Sequence, residues 1–131
     1  MKGLFWNLRG LANSPTRLAL KNIIETNKPD FVLLAELYID FNKFPPKWLQ
    51  RLWLKLFAIN NRQNLLLNLW YICGINLNSS ILTITNQFVN FSLTHNNLTF
   101  GIAAIYAFTS NLTRRGLWRD LRSLQSQFSI P

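Results

Sequence analysis

Asn7 and Glu36 are the two residues of this chain best placed to do chemistry together. Asn7 closes the run Lys-Gly-Leu-Phe-Trp-Asn, and Glu36 closes Phe-Val-Leu-Leu-Ala-Glu. Each run is short, apolar and of strand type, with a polar residue at its end. If both ends open on one crevice, an amide and a carboxylate make an oxygen-rich site for a hard cation such as Mg²⁺. The residues alone leave a plainer reading open, in which Asn7 begins a turn and Glu36 is solvated.

What brings the two ends together is the stretch between them. Ser14 is a helix-capping residue, Pro15 suits the first helical position, and Leu20, Ile23 and Ile24 recur on one helical face. Asn27-Lys28-Pro29-Asp30 then stops the helix. Strand, helix and strand make a βαβ unit, whose strands run parallel and whose crossover is right-handed. Asn7 and Glu36 therefore share the carboxyl edge, where open α/β sheets place their ligands.

The whole chain limits what such a site can serve. Its 131 residues, 49% of them hydrophobic, are enough for one domain with a core. Fourteen Lys and Arg against five acids give a net charge of +9, which favours a polyanionic partner such as nucleic acid. The basic residues are spread from Lys2 to Arg122, so the charge belongs to a folded surface and not to a basic arm. Cys73, the single cysteine, lies in the apolar run 69–75 and is expected to be a core thiol, which excludes a disulfide framework. The apolar start is too short for a signal peptide, and no uncharged stretch is long enough to span a membrane. The expected protein is intracellular and not secreted.

Beyond Glu36, Pro45-Pro46 interrupts regular structure and leads into a short helix through Trp48, Leu49, Leu52 and Trp53. Lys47, Arg51 and Lys55 recur every four residues on its polar side, a spacing that suits a phosphate backbone and equally a solvated face. Trp48 and Trp53 are expected to be core anchors rather than base-stacking platforms. Strands follow over 54–59, 69–75, 81–85, 88–94 and 98–106, joined by Asn-rich turns, so successive antiparallel hairpins are expected. In the fourth, Val89, Phe91 and Leu93 alternate with Asn90, Ser92 and Thr94, the period of a half-buried strand. The small apolar run from Ile102 to Tyr106 is expected in the middle of a sheet. His95 falls in a hairpin turn, at the surface. Leu117, Leu121, Leu124 and Phe128 make an amphipathic last helix, with Arg115, Arg119 and Arg122 on its other side.

Taken together, Phe5-Trp6-Asn7-Leu8-Arg9-Gly10-Leu11, Pro29-Asp30-Phe31-Val32-Leu33-Leu34-Ala35-Glu36 and Ile105-Tyr106-Ala107 resemble the first motifs of the endonuclease/exonuclease/phosphatase superfamily. The likeness is strongest to the endonuclease domain of plant non-LTR (LINE-type) retrotransposon proteins. It implies an α/β fold, a two-sheet β-sandwich flanked by helices (α/β/β/α, DNase I-like), of which residues 1–131 are the N-terminal part of a single domain, truncated after about half. It also implies Mg²⁺ as cofactor, Glu36 as principal metal ligand, Asn7 orienting the metal and phosphate, and Tyr106 contacting the scissile phosphate. DNA is the implied partner, with Arg9, Arg115, Arg119 and Arg122 as candidate backbone contacts, and no membrane.

The chain departs from that family in ways that bear on activity. Leu37 stands where members usually carry Thr or Pro, a change expected to reshape the crevice. The family's Gly-Asp-Phe-Asn and Ser-Asp-His segments, which supply the water-activating Asp, a phosphate-binding Asn and an Asp-His pair, are missing from these residues. The expectation is thus the N-terminal fragment of a Mg²⁺-dependent DNA endonuclease, inactive alone, with open strand edges through which it could self-associate. A non-catalytic basic nucleic-acid-binding module and a structural remnant are the alternatives.

Overall fold

The computed structural model describes residues 1–8, 10–11, 14–37, 47–60, 69–85, 87–106 and Arg119. They fall into two compact units, Met1–Ser79 and Ser80–Pro131. The first is built on strand β1 (Gly3–Asn7), helix α1 (Ser14–Asn27), strand β2 (Phe31–Ala35), helix α2 (Lys47–Arg51), strand β3 (Leu54–Asn60) and strand β4 (Leu69–Gly74). Its four-stranded sheet has the order β1-β2-β4-β3. β1 and β2 are parallel, with Gly3 opposite Phe31 and Asn7 opposite Ala35, as the βαβ reading requires. β4 runs antiparallel to both β2 and β3.

The core of this unit explains why its two inner strands carry so few polar residues. Val32, Leu33, Leu34 and Ala35 of β2 are all buried, as are the first five residues of β4. A strand covered on both faces reads as a continuous apolar run and not as an alternation. Leu20 and Ile24 of α1 join Leu8, Leu11, Val32, Leu34, Leu37, Leu49, Trp70 and Ile72 in one cluster. α1 stops where Lys28 turns left-handed (φ 46°) and its N–H bonds the Ile24 carbonyl at 2.8 Å. Pro29 then bars any continuation.

Gly3 has a packing role that its sequence position does not advertise. The ring of Phe31, its partner across the strands, occupies the place that a side chain on Gly3 would take. Gly3→Ala is expected to destabilise the chain by about 1 kcal/mol, overpacking outweighing the chain stiffening that alanine brings. Adding Phe31→Leu should recover most of that loss. Urea midpoints of the single and double variants check this.

Three expectations for the middle of the chain are corrected. Helix α2 ends at Arg51, and Lys55 lies in β3, so Lys47, Arg51 and Lys55 do not share one helical face. Trp48 packs against the core, but Trp53 is 76% exposed. Backbone geometry accounts for this: Trp53 is left-handed (φ 60°) and closes the turn from α2 into β3, which directs its side chain away from the apolar face of the helix. The turn after β4 makes no hairpin either, because β4 already has a strand on each side and β5 (Asn78–Ile84) belongs to another sheet.

That second sheet has the order β5-β6-β7, with β6 at Phe88–His95 and β7 at Leu98–Ile105. β6 and β7 pair antiparallel over eight residues, from Phe88 opposite Ile105 to His95 opposite Leu98. Asn96 and Asn97 are both left-handed (φ 50° and 66°), the conformation of a two-residue type I′ hairpin. At the preceding turn the Thr85 hydroxyl accepts the N–H groups of Gln87 and Phe88, each at 3.2 Å.

Two expectations fail in this sheet. The central strand is β6, whereas β7 borders the described sheet and exposes Leu98, Phe100 and Ile105. The small side chains on β7, Gly101, Ala103 and Ala104, face Ser92, Asn90 and Val89 of β6 and do not mark a central position. β6 is also not half-buried throughout: Asn90, read as a solvent-facing position, is 2% exposed. His95 is exposed in its hairpin, as expected.

Candidate metal site

β1 and β2 deliver Asn7 and Glu36 to the same edge. Asn7 is the last residue of β1, opposite Ala35, and Glu36 follows Ala35 directly. Past the strand ends the two segments stay joined by backbone hydrogen bonds. Leu8 N–H donates to the Ala35 carbonyl at 3.0 Å, Gly10 N–H to that of Glu36 at 2.8 Å and Leu11 N–H to that of Leu37 at 2.8 Å. Gly10, at φ 118°, supplies a conformation that L side chains rarely adopt. This ladder fixes Glu36 between two anchored neighbours.

Glu36 itself is left-handed (φ 54°), an unusual state for a residue without a short hydrogen-bonding side chain. Such a residue persists only where its surroundings over-determine it, and such positions concentrate at ligand sites. Here the surroundings are plain. Ala35 and Leu37 are both fully buried and fixed by the ladder, while Glu36 between them is only half-buried. The kink turns the carboxylate-bearing residue out of the core while Leu37 goes in. Leu37 thus joins the core cluster.

Asn7 provides the second donor. Its side-chain oxygen is buried and has no hydrogen-bond partner among the described residues. A buried carbonyl oxygen without a donor costs free energy comparable to a lost hydrogen bond, on the order of 1–3 kcal/mol. A cation beside it would remove that cost. Amide oxygen next to carboxylate is the donor chemistry of a hard divalent ion, so the pair fits Mg²⁺. Among the described residues no group of three His, Cys, Asp or Glu comes together. The two oxygens are therefore a partial set.

Tyr106 belongs to the second unit, one residue past β7, where it is half-buried and its N–H donates to the Gln87 carbonyl at 2.6 Å. Arg119 is an exposed helical residue. Arg9, Arg115 and Arg122, and the other residues of the expected last helix, lie outside the described residues. Cys73 is fully buried, and burial pushes its thiol above the ordinary range despite the Lys55 ammonium and a Ser79 hydrogen bond, so it is the expected core thiol and a poor nucleophile. The roles of Gly10 and of the left-handed Glu36 are not predicted from the sequence. A Gly three residues past a polar strand end is the only signal, and it is a common one.

No family model matches the sequence, and no curated protein sequence matches it either. Solved structures do. The 3′ phosphatase NExo from Neisseria, bound to product DNA hairpin, superposes with a TM-score of 0.58 at 20% identity, over 90% of this chain and 48% of that one. The 3′-5′ exonuclease NExo from Neisseria meningitidis gives 0.56 at 20% identity, with the same coverage. The fold is DNase I-like. This chain spans about half the length of those DNase I-like neighbours. No helix among the described residues is long and apolar enough to cross a membrane.

Proposed function

We propose that these residues are the N-terminal part of one Mg²⁺-dependent phosphodiesterase domain acting on DNA, derived from a LINE-type retrotransposon and working in the nucleus. The observation that carries the reading is the buried Asn7 oxygen, without a partner among the described residues, at the carboxyl ends of adjacent parallel strands where Glu36 follows β2. The neighbours of like fold are a 3′ phosphatase bound to DNA and a 3′-5′ exonuclease, and the net charge of +9 suits a phosphate backbone.

In this reading Glu36 holds the metal, Asn7 fixes its orientation and that of the phosphate, and Tyr106 contacts the scissile phosphate. The metal supplies charge stabilisation at the phosphoryl oxygens. Two protein oxygens bind such an ion weakly, and the groups that would activate water are not among these residues. By itself the chain is expected to bind DNA and a divalent ion without appreciable hydrolysis.

Metal binding tests this without any need for turnover. Mn²⁺ titrated into the isotope-labelled chain should broaden the Asn7 side-chain amide and the Glu36 backbone amide first, and Glu36→Gln should weaken that effect about 10-fold or more. Broadening that ignores the substitution would refute the assignment. The charge alone also supports a second reading, a basic DNA-binding module in which Asn7 and Glu36 are structural. That module would bind DNA in a salt-sensitive way, indifferent to Mg²⁺ and to Glu36→Gln.

A further inference from the structure

Trp53 is the most exposed large hydrophobic residue among those described, 76% open to solvent, and it is firmly mounted. Its N–H donates to the Gln50 carbonyl at 3.0 Å, and its own carbonyl accepts the Ile75 N–H at 3.0 Å. The backbone beneath the indole is therefore tied to helix α2 on one side and to the end of β4 on the other. An indole left in water on a fixed mount contributes nothing to the core. It offers a flat aromatic face at little cost in lost freedom.

The strand register shows what accompanies it. Leu54 pairs with Gly74, Cys73 with Phe31, and Phe31 with Gly3, so Trp53 sits at the end of the sheet where β1 and β2 begin. Backbone bonds extend that end into a row: Asp30 N–H to the Lys2 carbonyl, Gly74 N–H to the Asp30 carbonyl, and Ile75 N–H to the Trp53 carbonyl. Lys2, Lys28 and Arg51 are exposed along or next to this row, with Lys55 half-buried one pair further in. Asp30 is the acid among them, and its carboxylate accepts the Lys2 backbone N–H at 2.7 Å. Asn7 and Glu36 lie at the opposite end of the same strands, about 15 Å away along the strand direction.

We infer that Trp53 with Lys28, Arg51 and Lys55 forms a second nucleic-acid contact, in which an unpaired base of a single strand stacks on the indole while the cations hold the adjoining phosphates. An aromatic platform flanked by positive charge is the chemistry of sequence-tolerant single-strand binding. The net charge of +9 supplies the complementarity. A lipid surface fits less well, because α2 has only five residues and cannot lay an apolar face into a membrane. The contact extends the nucleic-acid reading but does not depend on the metal site, and binding measured in EDTA separates the two.

The test is the anisotropy of fluorescein-labelled dodecathymidylate titrated with the chain in EDTA at 50 and 200 mM NaCl. A blunt duplex of the same length and phosphatidylcholine/phosphatidylglycerol vesicles serve as the other arms. Trp53→Ala is expected to weaken single-strand binding by about 5- to 100-fold with an unchanged salt slope, and Trp53→Phe to retain part of the affinity. Replacing Lys28, Arg51 and Lys55 by Gln should flatten the salt slope. Since Trp53 is exposed, its variants keep the fold. Unchanged single-strand affinity in Trp53→Ala overturns the inference, and so does a loss confined to the vesicles or equal for the duplex.

Discussion

Joined to a C-terminal half that carries the Gly-Asp-Phe-Asn and Ser-Asp-His segments, the chain is expected to nick supercoiled DNA in Mg²⁺, and Glu36→Ala to lower that rate by at least about 10³-fold. The size follows from what the residue does in the proposed site. A metal that stabilises phosphoryl charge is worth several kcal/mol at the transition state, and each 1.36 kcal/mol is a factor of ten. Glu36 is the carboxylate-bearing residue at the strand edge where β1 ends in Asn7, and among the described residues no group of three His, Cys, Asp or Glu comes together, so in the proposed site little remains to hold the ion once it is gone. Stability should move the other way. Glu36 is left-handed, and Glu36→Gly relieves that conformation, so it should abolish nicking while leaving the fold equally stable or up to about 1 kcal/mol more so. Plasmid nicking and urea midpoints of the same variants read both effects. Nicking within tenfold of the parent in Glu36→Ala would remove Glu36 from the ligand role.

The opposed signs at Glu36 show where sequence reasoning succeeds and where it stops. The βαβ unit was legible because each part is local. Ser14 and Pro15 start α1, Lys28 and Pro29 end it, and the apolar run Phe31–Ala35 must be a buried strand. Parallel pairing of β1 and β2 follows, and with it the meeting of Asn7 and Glu36. What could not be read is how tightly that meeting is held. The ladder from Leu8, Gly10 and Leu11 to residues 35–37 lies outside the strands, and a left-handed Glu carries no mark in its letter.

The failures share one cause, which is that burial depends on neighbours distant in sequence. Asn90 alternates with apolar residues as a solvent-facing position would, yet it is buried on the central strand, its side-chain oxygen without a partner among the described residues. The run Ile102–Ile105 looks central by composition and borders the described sheet instead. Trp53 follows two core-facing leucines, Leu49 and Leu52, at a spacing that would continue the buried stripe, but a left-handed turn ends the helix first. In each case the letters report local preference, and strand order or a single backbone reversal decides the outcome.

Strand order also governs the largest expected effect on stability. Phe91 is fully buried at the middle of β6, opposite Ile102 and on the same face as Val89 and Leu93, which are fully buried as well. Phe91→Ala should cost about 3–5 kcal/mol, the lost transfer energy plus the cavity left behind, whereas Phe91→Leu should cost about 1 kcal/mol. Against a typical domain stability of about 5–15 kcal/mol, the alanine variant is close to unfolding. Amide exchange measured in both sheets shows how far the damage spreads. If the residues form part of one cooperative domain, the amides of β1, β2 and β4 lose protection together with those of β6. If only β5 to β7 open, the division at Ser79 and Ser80 is a boundary between independently opening units, and the single-domain assignment of residues 1–131 fails.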